Sequence, residues 1–171
     1  LDQAVDAARR YVAAYNNADL SLDEIMEFEN NFYVIVKEKS TGSGAFELLV
    51  DRYSGYVHPE PGPNMMWNTK YGHMGGFGGM MGGRWGGNYG NQPTGQLSVT
   101  VAQARQNAQA YLNSALPGVT LHEDTNAFYG YYTIDVEKDG KVLGMLSVNG
   151  YSGQVWYHTW HGNFIQEKEL N

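Results

Sequence analysis

The chain repeats itself, and that repeat constrains its fold more than any other feature. Gln3, Ala4, Ala8 and Tyr11 recur one hundred positions later as Gln103, Ala104, Ala108 and Tyr111, and Val12 recurs as Leu112. Phe32-Tyr33-Val34-Ile35-Val36-Lys37-Glu38-Lys39 matches Tyr131-Tyr132-Thr133-Ile134-Asp135-Val136-Glu137-Lys138. Phe46-Glu47-Leu48-Leu49-Val50 matches Gly144-Met145-Leu146-Ser147-Val148, and Tyr53-Ser54-Gly55 returns as Tyr151-Ser152-Gly153. The offset drifts only from 100 to 98, as small loop insertions would produce. Similarity that keeps its order over this length marks one supersecondary unit used twice.

Both copies carry the same pattern. Ala4, Val5, Ala8, Tyr11, Val12 and Tyr15 fall at helical spacing, with Asp6, Arg9 and Arg10 on the other side. In the second copy Thr100 stands three residues before Gln103, a capping-box pair, and Ala104, Ala108, Tyr111 and Leu112 follow on one face until Pro117-Gly118. Strands come next. Phe32, Val34 and Val36 alternate with Tyr33 and Ile35, and Phe46, Leu48 and Val50 alternate after a Gly- and Ser-rich turn. The second copy turns at Asp139-Gly140, a pair suited to a type I′ hairpin. A third short strand begins near Val57 and near Val155. The expected fold is α+β: two repeated modules, each one helix on a three- to four-stranded antiparallel sheet, spanning 1–62 and 97–171 and joined by a bridge over 63–96.

On these residues the chain resembles the PepSY domain, a peptidase-propeptide type module. The helix, the Tyr-x-Val-rich strand and the stretch Val50-Asp51-Arg52-Tyr53-Ser54-Gly55-Tyr56-Val57 are similar to that family's pattern. Val148-Asn149-Gly150-Tyr151-Ser152-Gly153-Gln154-Val155 is similar too, with Asn149 where Asp is usual. The resemblance implies export, a non-enzymatic role and, in some members, inhibition of a protease; it carries over no catalytic residue. The opening at Leu1, with a helical pattern and no basic leader, reads as a mature chain after signal-peptide removal. An extracytoplasmic location is expected.

Charge and composition narrow the function classes. A net charge of −7 repels phosphate backbones and anionic membrane surfaces, so nucleic acid is not an expected partner. The chain has no Cys, which excludes thiolate metal sites, Fe–S ligation and thiol redox chemistry. No window approaches a membrane-spanning length of apolar residues.

The bridge is the odd segment. Half of the 22 glycines fall between Gly72 and Gly95, and five of the seven methionines between Met65 and Met81. Met65, Met66, His73, Met74, Met80 and Met81 offer thioether and imidazole groups on a pliable backbone, a donor set suited to a soft ion such as Cu(I). The competing reading is that Met and aromatic side chains pack over neighbouring surfaces. Trp67, Phe77, Trp85 and Tyr89 are expected to make interaction contacts, with a second copy or another extracytoplasmic protein. Gly75-Gly76-Phe77-Gly78-Gly79 lacks the Lys-Ser/Thr pair of a phosphate loop.

Two further groups stand out. His158 and His161 lie just beyond the last short strand; residues three apart on a strand face opposite ways, so they can share a metal only if the chain turns, and Gly162 permits a turn. The alternative is two partly exposed histidines beside packing residues Trp156, Tyr157 and Trp160. His58 takes a similar place after the first copy, offset 100 from His158. Asp23, Glu24, Glu27 and Glu29 read as a solvated acidic face, and Pro59-Glu60-Pro61-Gly62-Pro63 as a stiff extended spacer. The function expected is an exported, non-enzymatic binding protein with copper as the leading ligand. A structural subunit of an extracellular filament and a protease-inhibiting module are the alternatives.

Overall fold

The computed structural model describes residues 1–72 and 96–170. The first half begins with α1 (Asp2–Ala13), followed by β1 (Leu20–Phe28), β2 (Asn31–Glu38), β3 (Gly44–Asp51), β4 (Val57–Pro59) and the single-turn α2 (Pro63–Met66). The second half runs α3 (Val101–Ala115), β5 (Thr120–Leu121), β6 (Asn126–Phe128), β7 (Tyr131–Lys138), β8 (Lys141–Asn149), β9 (Val155–Tyr157) and β10 (Phe164–Glu169). No described helix is long and apolar enough to cross a membrane.

Local signals act as their chemistry dictates. Thr100 Oγ1 accepts from the Gln103 backbone N–H at 3.3 Å, and Gln103 Oε1 accepts from the Thr100 N–H at 2.9 Å, closing the capping box that starts α3. Asp139 (φ 53°) and Gly140 (φ 72°) both take positive φ, the type I′ geometry that joins β7 to β8. Ala4, Val5, Ala7, Ala8 and Val12 form the buried stripe of α1.

The strands do not form two separate sheets. They build one ten-stranded mixed sheet in the order β10-β1-β2-β3-β6-β7-β8-β9, with β4 added on β3 and β5 on β7. This overturns the expectation of two repeated helix-on-sheet modules. Two links make the sheet continuous. β3 meets β6 in parallel at Gly44 and Phe128, where an added Cβ on Gly44 would stand 2.4 Å from the Phe128 ring. β10 leaves the second half and pairs antiparallel with β1, matching Ile25 to Lys168 and Met26 to Glu167.

Strand alternation then sorts the side chains into three clusters. Phe32, Val34, Val36, Phe46, Leu48 and Val50 face α1. Tyr132, Ile134, Val136, Leu146 and Val148 face α3. The opposite faces are buried as well, because the sheet curls until they meet: Met26, Phe28, Tyr33, Ile35 and Leu49 pack with Phe128, Tyr131 and Met145. Each large apolar side chain buried there contributes about 1.5–3 kcal/mol before conformational entropy is subtracted. This shared inner face turns two similar halves into one body.

Asp23, Glu24 and Glu27 of the acidic group belong to β1 and do not form a solvated face. Asp23 is buried and ion-paired with Lys37, and Glu27 is buried and paired with Arg52 at 2.8 Å. Glu29 alone of the four is exposed.

Candidate metal centre

Glu60, His158 and His161 meet at one point between the halves. Glu60 follows β4, in the segment read from sequence as a spacer. Its backbone N–H donates to the Glu47 carbonyl at 2.9 Å, extending the β3–β4 pairing by one residue. Asn64 clamps the same turn, its Nδ2 donating to the carbonyls of Glu47 (3.0 Å) and Glu60 (3.1 Å) while its Oδ1 accepts from the Glu47 N–H. In the second half the His158 N–H donates to the Met145 carbonyl at 3.0 Å. Glu60 and His158 therefore hold equivalent places, offset 98 like Glu47 and Met145. The offset of 100 that paired His58 with His158 is corrected by this register; His58 pairs with Leu49 in β4, stacks on Tyr56 and lies outside the cluster.

β9 ends at Tyr157, so His158–His161 is not strand. The chain turns, with Gly162 at φ 79°, and both imidazoles reach Glu60. His158 Nδ1 lies 3.2 Å and His161 Nε2 3.0 Å from Glu60 Oε1. Glu60 is 0%, His158 3% and His161 1% exposed, which rules out bulk water as the missing partner. The close nitrogens are misdirected for hydrogen bonding. Among the described residues the buried polar side-chain atoms without a hydrogen-bond partner are Glu60 Oε2, His158 Nδ1 and His161 Nε2, all on the triad. Trp160 Nε1 donates to Glu60 Oε1 at 3.1 Å.

The outer nitrogens fix the rings. His161 Nδ1 lies 2.9 Å from Asn31 Oδ1, an acceptor, so this nitrogen carries a proton, and Nε2 is the nitrogen that faces Glu60. Asn31 is itself oriented by donating its Nδ2 to the Trp160 carbonyl at 3.2 Å. His158 Nε2 lies 3.0 Å from Ser147 Oγ, which is 2.9 Å from Thr133 Oγ1, which donates to Glu47 Oε1 at 2.8 Å. Glu47, also wholly buried, accepts from the hydroxyls of Tyr33 (2.5 Å) and Tyr131 (2.7 Å).

Electrostatics follow from burial and neighbours. Burial, then the charge of Glu60, pushes the Glu47 carboxyl up to about 8. Burial also opposes ionisation of Glu60, but the two histidines outweigh it and hold its carboxyl at about 2. Burial lowers His158, and the charge of Glu60 more than reverses this, leaving its pKa raised.

Of the other expected site residues, Met65 and Met66 lie in α2, with Met65 half-buried and Met66 largely exposed. Trp67 ends α2 and packs edge-on against Trp156 at 5.9 Å. His73, Met74, Met80, Met81, Phe77, Trp85 and Tyr89 lie outside the described residues. Glu60 was missed because it reads as one polar residue in a proline run. The signal that finds it is the 98-residue offset, which aligns it with His158.

A second concave feature is acidic. A cleft of about 600 Å³ is lined by Glu24, Asp135, Glu137, Glu167 and Glu169, with His122 at its wall.

No protein-family model, no curated protein and no solved structure matches the chain. The PepSY likeness rests on the sequence motifs quoted above.

Proposed function

We propose that this chain is a metal-binding protein in which Glu60, His158 and His161 hold a divalent ion of the Zn(II) or Cu(II) class. The observation that carries this is the convergence of buried ligand atoms. Ligand atoms of the three buried side chains lie within 4.8 Å of one another, and Glu60 Oε2, His158 Nδ1 and His161 Nε2 have no hydrogen-bond partner. Buried polar atoms are almost always paired, and an ion is one of the few things that pairs three at once. In a tetrahedral site with ligands near 2.1 Å, donor atoms stand about 3.4 Å apart. The two imidazole nitrogens stand 3.2 and 3.0 Å from Glu60 Oε1, and the ligand atoms of the three side chains lie within 4.8 Å of one another, so the set brackets that spacing.

Two imidazoles and a carboxylate form a borderline, nitrogen- and oxygen-based set. That set favours a divalent ion over the Cu(I) expected for the methionines. Two imidazoles and one carboxylate are three protein ligands, a count that leaves one coordination position open, and the burial of all three side chains closes that position to bulk solvent. The role is thus binding and fastening, with Glu60 supplied by the first half and both histidines by the second.

The test is metal content. The purified chain is stripped with chelator, loaded with Zn(II) or Cu(II), desalted and analysed by mass spectrometry. One ion per chain is expected, lost in Glu60→Gln and His161→Gln and kept when Met65, Met66, Met74, Met80 and Met81 are changed to Leu. Equal metal in the wild type and both triad variants would reject the proposal.

A further inference from the structure

With a metal on His158 Nδ1, the hydrogen bonds behind His158 all run one way. A metal on Nδ1 leaves the proton of a neutral imidazole on Nε2, and that nitrogen then donates to Ser147 Oγ at 3.0 Å. Ser147 must pass its own proton to Thr133 Oγ1 at 2.9 Å, and Thr133 donates to Glu47 Oε1 at 2.8 Å. The chain ends on the Glu47 carboxyl, to which Tyr33 and Tyr131 also donate. Ser147, Thr133 and Glu47 are 0%, 2% and 0% exposed, so water does not interrupt the path. Histidines that bind metals normally hand their outer N–H to a carboxylate, carbonyl or water, which sets tautomer and ring orientation. Here two hydroxyls stand between the imidazole and the carboxylate.

Resting on the metal reading above, we infer that Glu47 is the remote carboxylate of this site, a positioning residue that fixes His158 through Thr133 and Ser147. The partner of this relay is a borderline dication at the triad. The arrangement also accounts for the strand faces involved. Glu47, Thr133 and Ser147 occupy the inner faces of β3, β7 and β8, where the neighbouring inward residues Ile35, Leu49 and Met145 are apolar. Polar side chains there cost stability unless each meets a partner, and the relay supplies one to each.

Zn(II) affinity measured by competition with a chromophoric chelator, on full-length chains whose metal-free melting shows them folded, decides the matter. Ser147→Ala, Thr133→Val and Glu47→Gln should each weaken Zn(II) binding about 10- to 100-fold. Thr133→Ser, which keeps the hydroxyl, should stay within a few-fold of wild type. Residues acting through one chain are not additive, so Ser147→Ala/Glu47→Gln should bind no more weakly than the worse single variant. Should Glu47→Gln fail to fold, the Thr133→Val against Thr133→Ser comparison carries the test. Wild-type affinity in folded Thr133→Val or Glu47→Gln, or losses that multiply in the double variant, would overturn the relay while leaving the triad intact. A wild-type chain that takes up no Zn(II) would instead defeat the metal reading itself.

Discussion

Asp135 and Glu38 show how far surroundings move one chemical group. Asp135, on the cleft-facing side of β7, is raised to about 7 by burial and, against the pull of His122, by the charges of Glu167 and Glu137. Across the same cleft Glu24 is raised to about 8 by burial and then by Asp135, Glu169 and Glu167. Glu38 is buried too, but Lys70, Tyr129, Tyr71 and Thr41 all donate to it and bring it down to about 2. The raised group has a definite consequence for stability. The folded state holds the Asp135 proton more tightly than the unfolded chain, so Asp135 costs nothing below about pH 4, and its penalty grows as pH rises to about 7. Asp135→Asn is therefore expected to change stability little at pH 4 and to stabilise by about 1–3 kcal/mol at pH 8, the range allowing for solvent at this partly exposed position. Urea unfolding at the two pH values measures it; an equal effect at both would show that Asp135 titrates normally. None of this was legible from composition. Asp23, Glu24, Glu27 and Glu29 look alike in sequence, and only distant neighbours separate their environments: Lys37 of β2, Asp135 of β7, Glu167 and Glu169 of β10, Arg52 just past β3 and Asn163 just before β10.

Among elements, those defined by nearby residues were the most readable. The cap of α3 at Thr100 and Gln103, the hairpin at Asp139-Gly140 and the alternation in β2, β3, β7 and β8 all depend on contacts within a few positions. β1 and β10 were not readable. β1 is charged at Asp23, Glu24 and Glu27, and β10 is mostly exposed with Glu and Lys along it, so neither shows a clear apolar alternation. Their pairing supplies what their sequences lack. The β3–β6 contact is similar: nothing near Gly44 announces that Phe128 will lie against it. Gly44→Ala would drive a methyl into that ring, with contacts of 2.4 and 2.5 Å. Overpacking of this kind costs about 1–3 kcal/mol. The urea midpoint should fall accordingly; an unchanged midpoint would mean that Phe128 moves aside freely and that the junction between the halves is loose.

Taken whole, the molecule is two similar halves fused by a common inner face, a crossing strand and the Glu60, His158 and His161 cluster. Because the cluster draws ligands from both halves and the unfolded chain does not hold them together, bound metal should stabilise the entire fold. Free Zn(II) at one hundred times its dissociation constant adds about 2.7 kcal/mol. For a chain of this size that is a rise of about 5–10 °C in melting temperature, absent in Glu60→Gln. Calorimetry with and without metal measures it, and an equal shift in that variant would place the ion elsewhere.

The sequence alone determined the repeated strands, the helix stripes, the cap and the tight turn, because each follows from side-chain periodicity or from partners a few residues away. It also put His158 and His161 beside a glycine that lets them turn together. Only the tertiary structure decided that β10 crosses to β1, that Tyr33, Glu47, Tyr131, Thr133 and Ser147 share one interior, and that Glu60 meets both histidines. Those contacts join residues from 14 to more than 140 positions apart, through strand pairing and sheet curvature. Such pairing depends on how two surfaces fit, and no local pattern of residues encodes that fit.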